Sequence, residues 1–177
     1  MSTKTGSEAR TETGPKYGGA PAEAPPRRRR GAEARLRRYR VETRLRRFGR
    51  PSGALELNCG ADVAAAMAHL RRLDREQVWC LGCDVRNRVV AADLVSIGLL
   101  DAALVRPREF YLGALLAGAA SAIAVHNHPS GSAEPSPQDL DLTRALAEAG
   151  RLLGVRLLDH VIIGSPGHVS LAERGAL

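Results

Sequence analysis

The 177-residue sequence predicts an α/β domain, in which a mixed β-sheet is flanked by helices, behind a basic N-terminal tail. Two observations support this prediction. From residue 53 onward, helical and extended patterns alternate in the order helix, two strands, helix, strand, helix and two strands. Charge also divides the chain, because residues 1–52 hold fifteen Lys and Arg against five Asp and Glu, whereas eleven face fourteen over residues 53–177. We therefore expect a disordered tail over residues 1–52 and one folded domain over residues 53–177.

The tail has two parts. Its first 26 residues are rich in Gly, Pro, Ser, Thr and Ala, so the burial of apolar groups cannot offset the entropy of ordering them. Twelve arginines follow between residues 27 and 50, and a loose apolar stripe leaves part-helical structure from residue 31 open. Because arginines neutralise phosphates, nucleic acid is one candidate partner, and a solvated basic tail is the competing interpretation. The candidate contacts are Arg27, Arg28, Arg29, Arg30, Arg37 and Arg38.

The composition also bounds the cellular location. The sequence shows no secretory signal and no apolar run of membrane-spanning length, so we expect a cytoplasmic protein that has no membrane partner. Its three cysteines form no disulfide framework, which suits a reducing compartment. Cys80 and Cys83 have the C-x-x-C spacing of thiol redox enzymes, but they lie in a predicted strand rather than at a helix N-terminus. We expect both to be reduced and to face opposite sides of the strand.

The folded part begins with a helix whose predicted N-cap is Asp62. The apolar face of this helix comprises Val63, Ala66, Met67, Leu70 and Leu73, and His69 lies off it. A strand opens at Glu76, turns at residues 84–87 and returns through residues 89–97. A second helix is predicted over residues 106–118, with Phe110, Ala114 and Leu115 inward.

The later elements follow the same alternation. A helix is predicted over residues 137–153, with Gly154 placed to cap its C-terminus. Its core face comprises Leu142, Leu146, Ala149 and Leu153. A strongly apolar strand over residues 155–163 contains Asp159 and His160, which are either a second shell that orients metal ligands or a satisfied structural pair. A turn at residues 164–167 leads into a last short strand.

The chemistry centres on residues 123–142. Residues 122–125 are apolar and read as a short buried strand, so His126 and His128 fall where that strand leaves the core. Residues two apart in an extended segment point to the same side, so both imidazoles can face one point. Ser136, Pro137 and Asp139 then form a helix start, with the serine as N-cap.

Two interpretations of Asp139 compete, and they are compatible. In the first, the S-P-Q-D segment is only a capping arrangement, of a kind common in soluble proteins. In the second, Asp139 turns toward the two histidines as a third ligand. Two imidazoles and one carboxylate, with a fourth position left to water, are the ligands of a catalytic zinc site rather than a structural one.

Residues 126–139, HNHPSGSAEPSPQD, fit the signature H-x-H, seven residues, S-x-x-D. This segment resembles the JAMM metalloproteases, and the HNHPSG form resembles their bacterial RadC-like branch. Residues 99–110, 152–164 and 169–175 extend the resemblance, which covers roughly residues 62–177. It implies a JAB/MPN fold, which is similar to that of cytidine deaminases. Deamination itself is disfavoured, because zinc deaminases use H-x-E with P-C-x-x-C.

The resemblance also implies roles for particular residues. His126, His128 and Asp139 would bind Zn²⁺, which lowers the pKa of its bound water from ~15.7 toward ~7. Glu76 would act as the general base, and Ser136 would hydrogen-bond the oxyanion of the tetrahedral intermediate. The implied reaction is the hydrolysis of an amide or isopeptide bond in a peptide or protein. Without the resemblance, Glu76 is an ordinary strand-start glutamate, and Glu109 and Glu134 are rival carboxylates.

Two other functions stay open on the sequence. One is a non-catalytic accessory protein associated with DNA repair, which binds nucleic acid through the basic tail. The other is a metal-dependent nuclease, since RadC-like proteins are traditionally labelled as DNA repair factors. RadC-family chains often carry a helix-hairpin-helix module before the JAB domain, but the N-terminal third of this sequence lacks the apolar helices of that module. Its DNA-binding role is therefore not carried over.

Overall fold

The computed structural model of the protein describes residues 55–98 and 105–177. The helices in these ranges are α1 (Gly60–Ala66), α2 (Pro107–Leu116) and α3 (Pro137–Leu153), with a short 3₁₀ helix at Ala68–Arg72. The strands are β1 (Gln77–Cys83), β2 (Val89–Ile97), β3 (Ser121–Asn127), β4 (Arg156–Ile163) and β5 (His168–Ser170). Their order along the chain is the predicted one. The tail over residues 1–52, with its arginines, lies outside the described residues, so the predicted domain boundary and the nucleic-acid contacts stay predictions.

The five strands form one mixed sheet in the order β2-β1-β3-β4-β5. Strand β1 runs antiparallel to β2 and β3, β3 is parallel to β4, and β4 is antiparallel to β5. All seven residues of the central strand β3 are buried, as expected for an apolar strand covered on both faces. This arrangement confirms the predicted α/β class.

Each face of the sheet carries its own hydrophobic core. Helices α2 and α3 cover one face, where Phe110, Leu142 and Leu146 are buried. Helix α1 and the 3₁₀ helix contribute Val63 and Leu70 to the core on the other face. Burying each such side chain contributes roughly 1.5–3 kcal/mol, so the two cores stabilise the sheet around β3.

The cysteines of β1 behave as predicted. Cys80 packs in the core under α2 and α3, whereas Cys83 packs in the core on the opposite face, and both thiols are free. Burial raises the pKa of Cys80 to about 12 and that of Cys83 to about 11. Since the thiolate is the reactive form of cysteine, these two residues are packing residues rather than redox centres. Cys59 is free and exposed.

Helix α1 begins earlier than predicted. Its N-cap is Cys59, and the Asp62 carboxylate reaches back to accept hydrogen bonds from the backbone N–H groups of Asn58 and Cys59 at 2.9 and 3.2 Å. Hydrogen bonds from Asn58, which has the largest effect, and from Cys59 lower the pKa of the Asp62 carboxyl group. The predicted N-cap at Asp62 is therefore wrong. An acidic residue in the first turn satisfies the free amides as well as a cap does, and sequence alone does not separate the two positions.

Two leucines that were expected in the core are partly exposed. Leu115 of α2 and Leu153 of α3 are both 43% exposed. In α2, Tyr111 takes the inward position, and its hydroxyl donates a hydrogen bond to the Leu146 carbonyl at 2.9 Å. In the last turn of α3, Gly150 faces inward instead. A glycine is needed there, because a Cβ would meet the Tyr111 hydroxyl. Tyr111 and Gly150 thus take inward positions near those predicted for Leu115 and Leu153, while Leu142 and Leu146 stay in the core.

Other predicted features agree with the structure. Gly154 ends α3 in the left-handed conformation, with φ 72°, and His69 is exposed beside Trp79. None of the helices in the described part of the chain has the length and apolar character needed to cross a bilayer.

Candidate metal centre

Four side chains from distant parts of the chain meet where β3 leaves the sheet. His126 ends the apolar part of β3, His128 follows that strand, Asp139 lies in the first turn of α3, and Glu76 directly precedes β1. One potential ligand atom from each residue lies within 4.8 Å of those of the other three. The structure therefore brings together the three predicted metal ligands and the predicted general base.

Strand pairing explains the position of Glu76. Strands β1 and β3 are antiparallel, with Val78 opposite His126, so the start of β1 lies beside the end of β3. Asn127 secures this junction, because its side chain accepts from the Gln77 N–H at 2.9 Å and donates to the Arg75 carbonyl at 3.1 Å. The residue between the two histidines thus points away from them, as predicted, and anchors the backbone on both sides of Glu76.

The two imidazoles point at the same place. The Nε2 atoms of His126 and His128 lie 3.0 Å apart. Nδ1 of His128 lies 2.8 Å from the Ser132 carbonyl, which can only accept, so Nδ1 carries the proton. The Asp139 carboxylate raises the pKa of His128 against the opposing effect of burial. In its neutral form, His128 therefore presents the Nε2 lone pair to the centre.

Asp139 caps the helix and faces the histidines at the same time. Its Oδ2 accepts hydrogen bonds from the Ser136 N–H and hydroxyl, both at 2.7 Å. The Asp139 N–H donates to the Ser136 hydroxyl oxygen at 3.2 Å, which completes a capping box. Its Oδ1 is buried without a hydrogen-bond partner among the described residues, 3.1 Å from His126 Nε2. The capping interpretation is therefore confirmed, and the carboxylate also faces the two histidines, as the metal-ligand interpretation requires.

The ionisation state of Asp139 suits a ligand. Burial alone would raise the pKa of its carboxyl group, but His126, His128 and the Ser136 hydroxyl outweigh burial and hold that pKa below its ordinary value. Metal ligands must be deprotonated, so a carboxylate that is ionised at neutral pH is ready to bind a cation.

The spacing of these atoms fits a metal ion. Zinc bonds of 2.0–2.2 Å to nitrogen and oxygen imply about 3.3 Å between neighbouring ligand atoms of a tetrahedron. Here the two Nε2 atoms are 3.0 Å apart, and Asp139 oxygens lie 3.1 Å from His126 Nε2 and 3.4 Å from His128 Nε2. Asp139 Oδ1 is buried and has no hydrogen-bond partner among the described residues, and a cation held between it and His126 Nε2 would compensate its charge. These three residues could therefore hold a metal ion.

Glu76 faces this group from slightly farther away. Its Oε1 lies 3.8 Å from His126 Nε2 and 3.9 Å from His128 Nε2, and its side chain is 14% exposed. Both distances exceed the ligand spacing of a tetrahedral centre, so Glu76 borders the three candidate ligands. The rival carboxylates lie elsewhere. Glu134 forms a bidentate surface pair with Arg174, and Glu109 pairs with its neighbour Arg108.

The loop between His128 and Ser136 rests on the end of β4. The Ser165 N–H donates to the Gly131 carbonyl at 2.8 Å. A Cβ on Gly164 would lie 2.7 Å from Ala133 N and 3.0 Å from the Ser132 carbonyl carbon. Gly164 therefore allows the loop to approach closely enough for Ser132 to hold the His128 ring.

Replacing Gly164 with alanine is expected to push this loop away and loosen the bond between Ser132 and His128. We expect a loss of about 1–3 kcal/mol in the free energy of unfolding from overpacking, measured by denaturant titration. Affinity for a divalent ion should fall about 10- to 100-fold, since an outer partner of a ligand is displaced. Gly167→Ala is the matched control, because a Cβ there meets nothing within 4 Å. Equal metal affinities in the two variants would contradict this role of Gly164.

The sequence left the roles of Asp159 and His160 open, and the structure separates them. Asp159 accepts hydrogen bonds from the Ser170 hydroxyl and the Ala172 N–H, so it holds the C-terminal segment. His160 projects toward the metal centre, with its Nε2 2.8 Å from Nδ1 of His126. The pKa of His160 lies well below its ordinary value, mainly because the ring is buried.

Sequence reasoning missed Thr143, whose hydroxyl lies 2.6 Å from Nδ1 of His160. Thr143 follows Asp139 by four residues on α3, and the two side chains therefore share one face of the helix. That spacing is the one signal in the sequence that could have identified it.

Comparison with known proteins agrees with this geometry. The profile of the RadC-like JAB domain matches residues 57–176. The chain is 47% identical to a UPF0758 protein of Desulforudis audaxviator over 109 residues. This matched segment is 62% of this chain and 47% of that protein. It is 47% identical over 111 residues to one of Halalkalibacterium halodurans (63% and 48% covered) and 45% identical over 115 residues to one of Methanosarcina acetivorans (64% and 50% covered). The chain thus spans about half the length of these relatives. A domain match over residues 57–176, with the paired histidines and Asp139 inside it, shows that the chain belongs to the RadC-like JAB domain family.

Proposed function

We propose that the chain is a zinc-dependent hydrolase of the JAMM type, which cleaves amide or isopeptide bonds in peptides or proteins. The observation that carries this proposal is the position of Glu76. A carboxylate stands just outside a group of three ligands, within 4 Å of two of them, rather than among them. That is where a general base is needed if a small molecule occupies the fourth ligand position.

Zinc is the ion that we propose for this centre. Two imidazoles and one carboxylate with an open position form a common zinc set in hydrolases, and their spacing here suits tetrahedral geometry. Bound zinc supplies a Lewis acid and makes hydroxide available from water near neutral pH. Side chains of this protein would carry out the proton transfer and stabilise the oxyanion.

Glu76 acts as the general base and then as the general acid. With its carboxylate at the rim of the centre, it accepts a proton from the attacking water and delivers that proton to the leaving amine. The anchoring of Arg75 and Gln77 by Asn127 holds the backbone of Glu76 on both sides, so the carboxylate does not have to be ordered during the reaction.

Ser136 stabilises developing charge. Its hydroxyl donates to Asp139 Oδ2, but the Ser136 N–H donates to the same oxygen. The hydroxyl can therefore rotate toward the oxyanion of a tetrahedral intermediate while Asp139 keeps one hydrogen bond from the cap. In this proposal, one serine both begins α3 and assists the reaction.

The test is metal removal and restoration with the full chain. Elemental analysis gives the bound ion, and a library of quenched fluorescent peptides, a lysine-isopeptide-linked peptide and duplex DNA serve as probes. We expect peptide or isopeptide cleavage that a chelator abolishes and zinc restores. A zinc-loaded chain that cleaves none of these probes contradicts the proposal and favours the accessory role. Metal-dependent cleavage of DNA alone would instead indicate a nuclease.

A further inference from the structure

We propose that His160 and Thr143 are positioning residues, which hold His126 in the tautomer whose Nε2 faces the metal centre. This inference rests on the proposed metal site but not on its activity. Neither residue belongs to the group of potential ligands, and both are buried. They act through His126 and Asp139.

Three short contacts join the two ligand residues through the core. The Thr143 hydroxyl lies 2.6 Å from the Asp139 backbone carbonyl and 2.6 Å from Nδ1 of His160. Nε2 of His160 lies 2.8 Å from Nδ1 of His126. All four residues are buried, so no bulk water competes for these donors and acceptors.

The backbone carbonyl sets the direction of every bond in this series. A carbonyl only accepts, so Thr143 donates its single hydroxyl proton to Asp139. The threonine oxygen must then accept from His160, which places a proton on His160 Nδ1. If His160 is neutral, its Nε2 is an acceptor, and Nδ1 of His126 must donate to it. The remaining nitrogen, His126 Nε2, is left with its lone pair toward the centre.

The surroundings of His160 favour that neutral state. Its two ring nitrogens face a hydroxyl oxygen and another imidazole, and its side chain is fully buried. Neither neighbour is an anion, and an unpaired buried cation is costly. The contacts of His160 therefore favour the tautomer of His126 that carries its proton on Nδ1 and leaves Nε2 for the metal.

The same contacts explain why these polar groups are kept inside the core. A ligand histidine with the wrong tautomer presents an N–H to the metal, so a fixed tautomer raises affinity. Because the series ends on the carbonyl of Asp139, it also couples the ring of one ligand to the helix turn that carries another. A role in packing alone would predict a loss of stability with no specific effect on metal binding.

The experiment compares zinc affinities of full-length variants by competition with a chromophoric chelator. His160→Phe should weaken zinc binding about 10- to 100-fold, and Thr143→Val, which keeps the shape of the side chain, about tenfold. His160→Gln should restore most of the affinity, because its amide oxygen can accept from His126 Nδ1. Thermal unfolding with excess EDTA verifies that each variant is folded.

Asp159→Asn is the matched control. Asp159 neighbours His160 on the same strand and is also buried. Its carboxylate accepts hydrogen bonds from the Ser170 hydroxyl, the Ala172 N–H and the backbone N–H of His160, and none of these bonds involves the His160 ring. This variant should melt at a lower temperature than the wild type while its zinc affinity stays unchanged. If His160→Phe and Thr143→Val lose stability and keep native zinc affinity, as this control should, the positioning role is wrong.

The protons themselves can be observed in the zinc-loaded wild type. Nitrogen-15 NMR should show His126 and His160 both protonated at Nδ1, and a proton on Nε2 of His160 overturns the proposal. The outcomes separate this inference from the proposed function. Zinc binding without hydrolysis removes the function and leaves the positioning role standing. Hydrolysis by the wild type, with unchanged zinc affinity in His160→Phe and Thr143→Val, supports the function and removes the positioning role. A wild-type chain that binds no zinc removes both the function and the positioning role.

Discussion

Replacing Glu76 with glutamine is expected to lower kcat for peptide hydrolysis by about 100- to 10,000-fold, the usual contribution of a general acid-base group. An amide of the same size cannot accept a proton at neutral pH. The three ligands are untouched by the change, because Glu76 Oε1 lies 3.8 and 3.9 Å from the two Nε2 atoms, outside the ligand spacing. Zinc content should therefore equal that of the wild type.

Steady-state kinetics and elemental analysis of the same preparations check this result. Glu134→Gln is the matched control, since Glu134 lies in the loop between the ligands but pairs with Arg174 at the surface. Exposed pairs of this kind contribute about 0–1 kcal/mol, so turnover should change little. If Glu134→Gln abolishes turnover and Glu76→Gln does not, the general base has been assigned to the wrong carboxylate.

Replacing Asp139 with asparagine is expected to remove the metal, with zinc affinity lowered more than about 100-fold. Two donors from Ser136 converge on Oδ2, so the asparagine oxygen must occupy that position. The amide NH₂ group then replaces Oδ1, 3.1 Å from His126 Nε2. It would donate a hydrogen bond to the imidazole lone pair, which satisfies both groups without a cation.

Chelator competition measures this loss, and melting in EDTA verifies that the variant folds. Asp141→Asn provides the control, because Asp141 lies two residues farther along α3 and forms an exposed ion pair with Arg144. Its zinc affinity should match that of the wild type. Native affinity in Asp139→Asn would show that the centre does not use this carboxylate.

The best predictions from sequence were those that rest on local signals. Helix α3 occupies the predicted residues, because Ser136 and Pro137 mark its start and Gly154 marks its end. Each of these signals acts on the backbone within a few residues of itself. The inward positions of helices were predicted less well. Leu115 and Leu153 are partly exposed because Tyr111, on one helix, packs against Gly150 on the other. Apolar periodicity within one helix carries no information about the shape of the neighbouring helix.

The sequence by itself determined the alternation of strands and helices, the helix cap at Ser136, and the common side toward which His126 and His128 point. Only the tertiary structure decided that Glu76 stands beside them, since the antiparallel pairing of β1 with β3 joins residues 50 positions apart. It also decided that the His160 ring contacts His126, while the Asp159 carboxylate bonds to Ser170. Hydrogen bonds within a few residues are written in local sequence, whereas contacts across a sheet depend on which strands become neighbours.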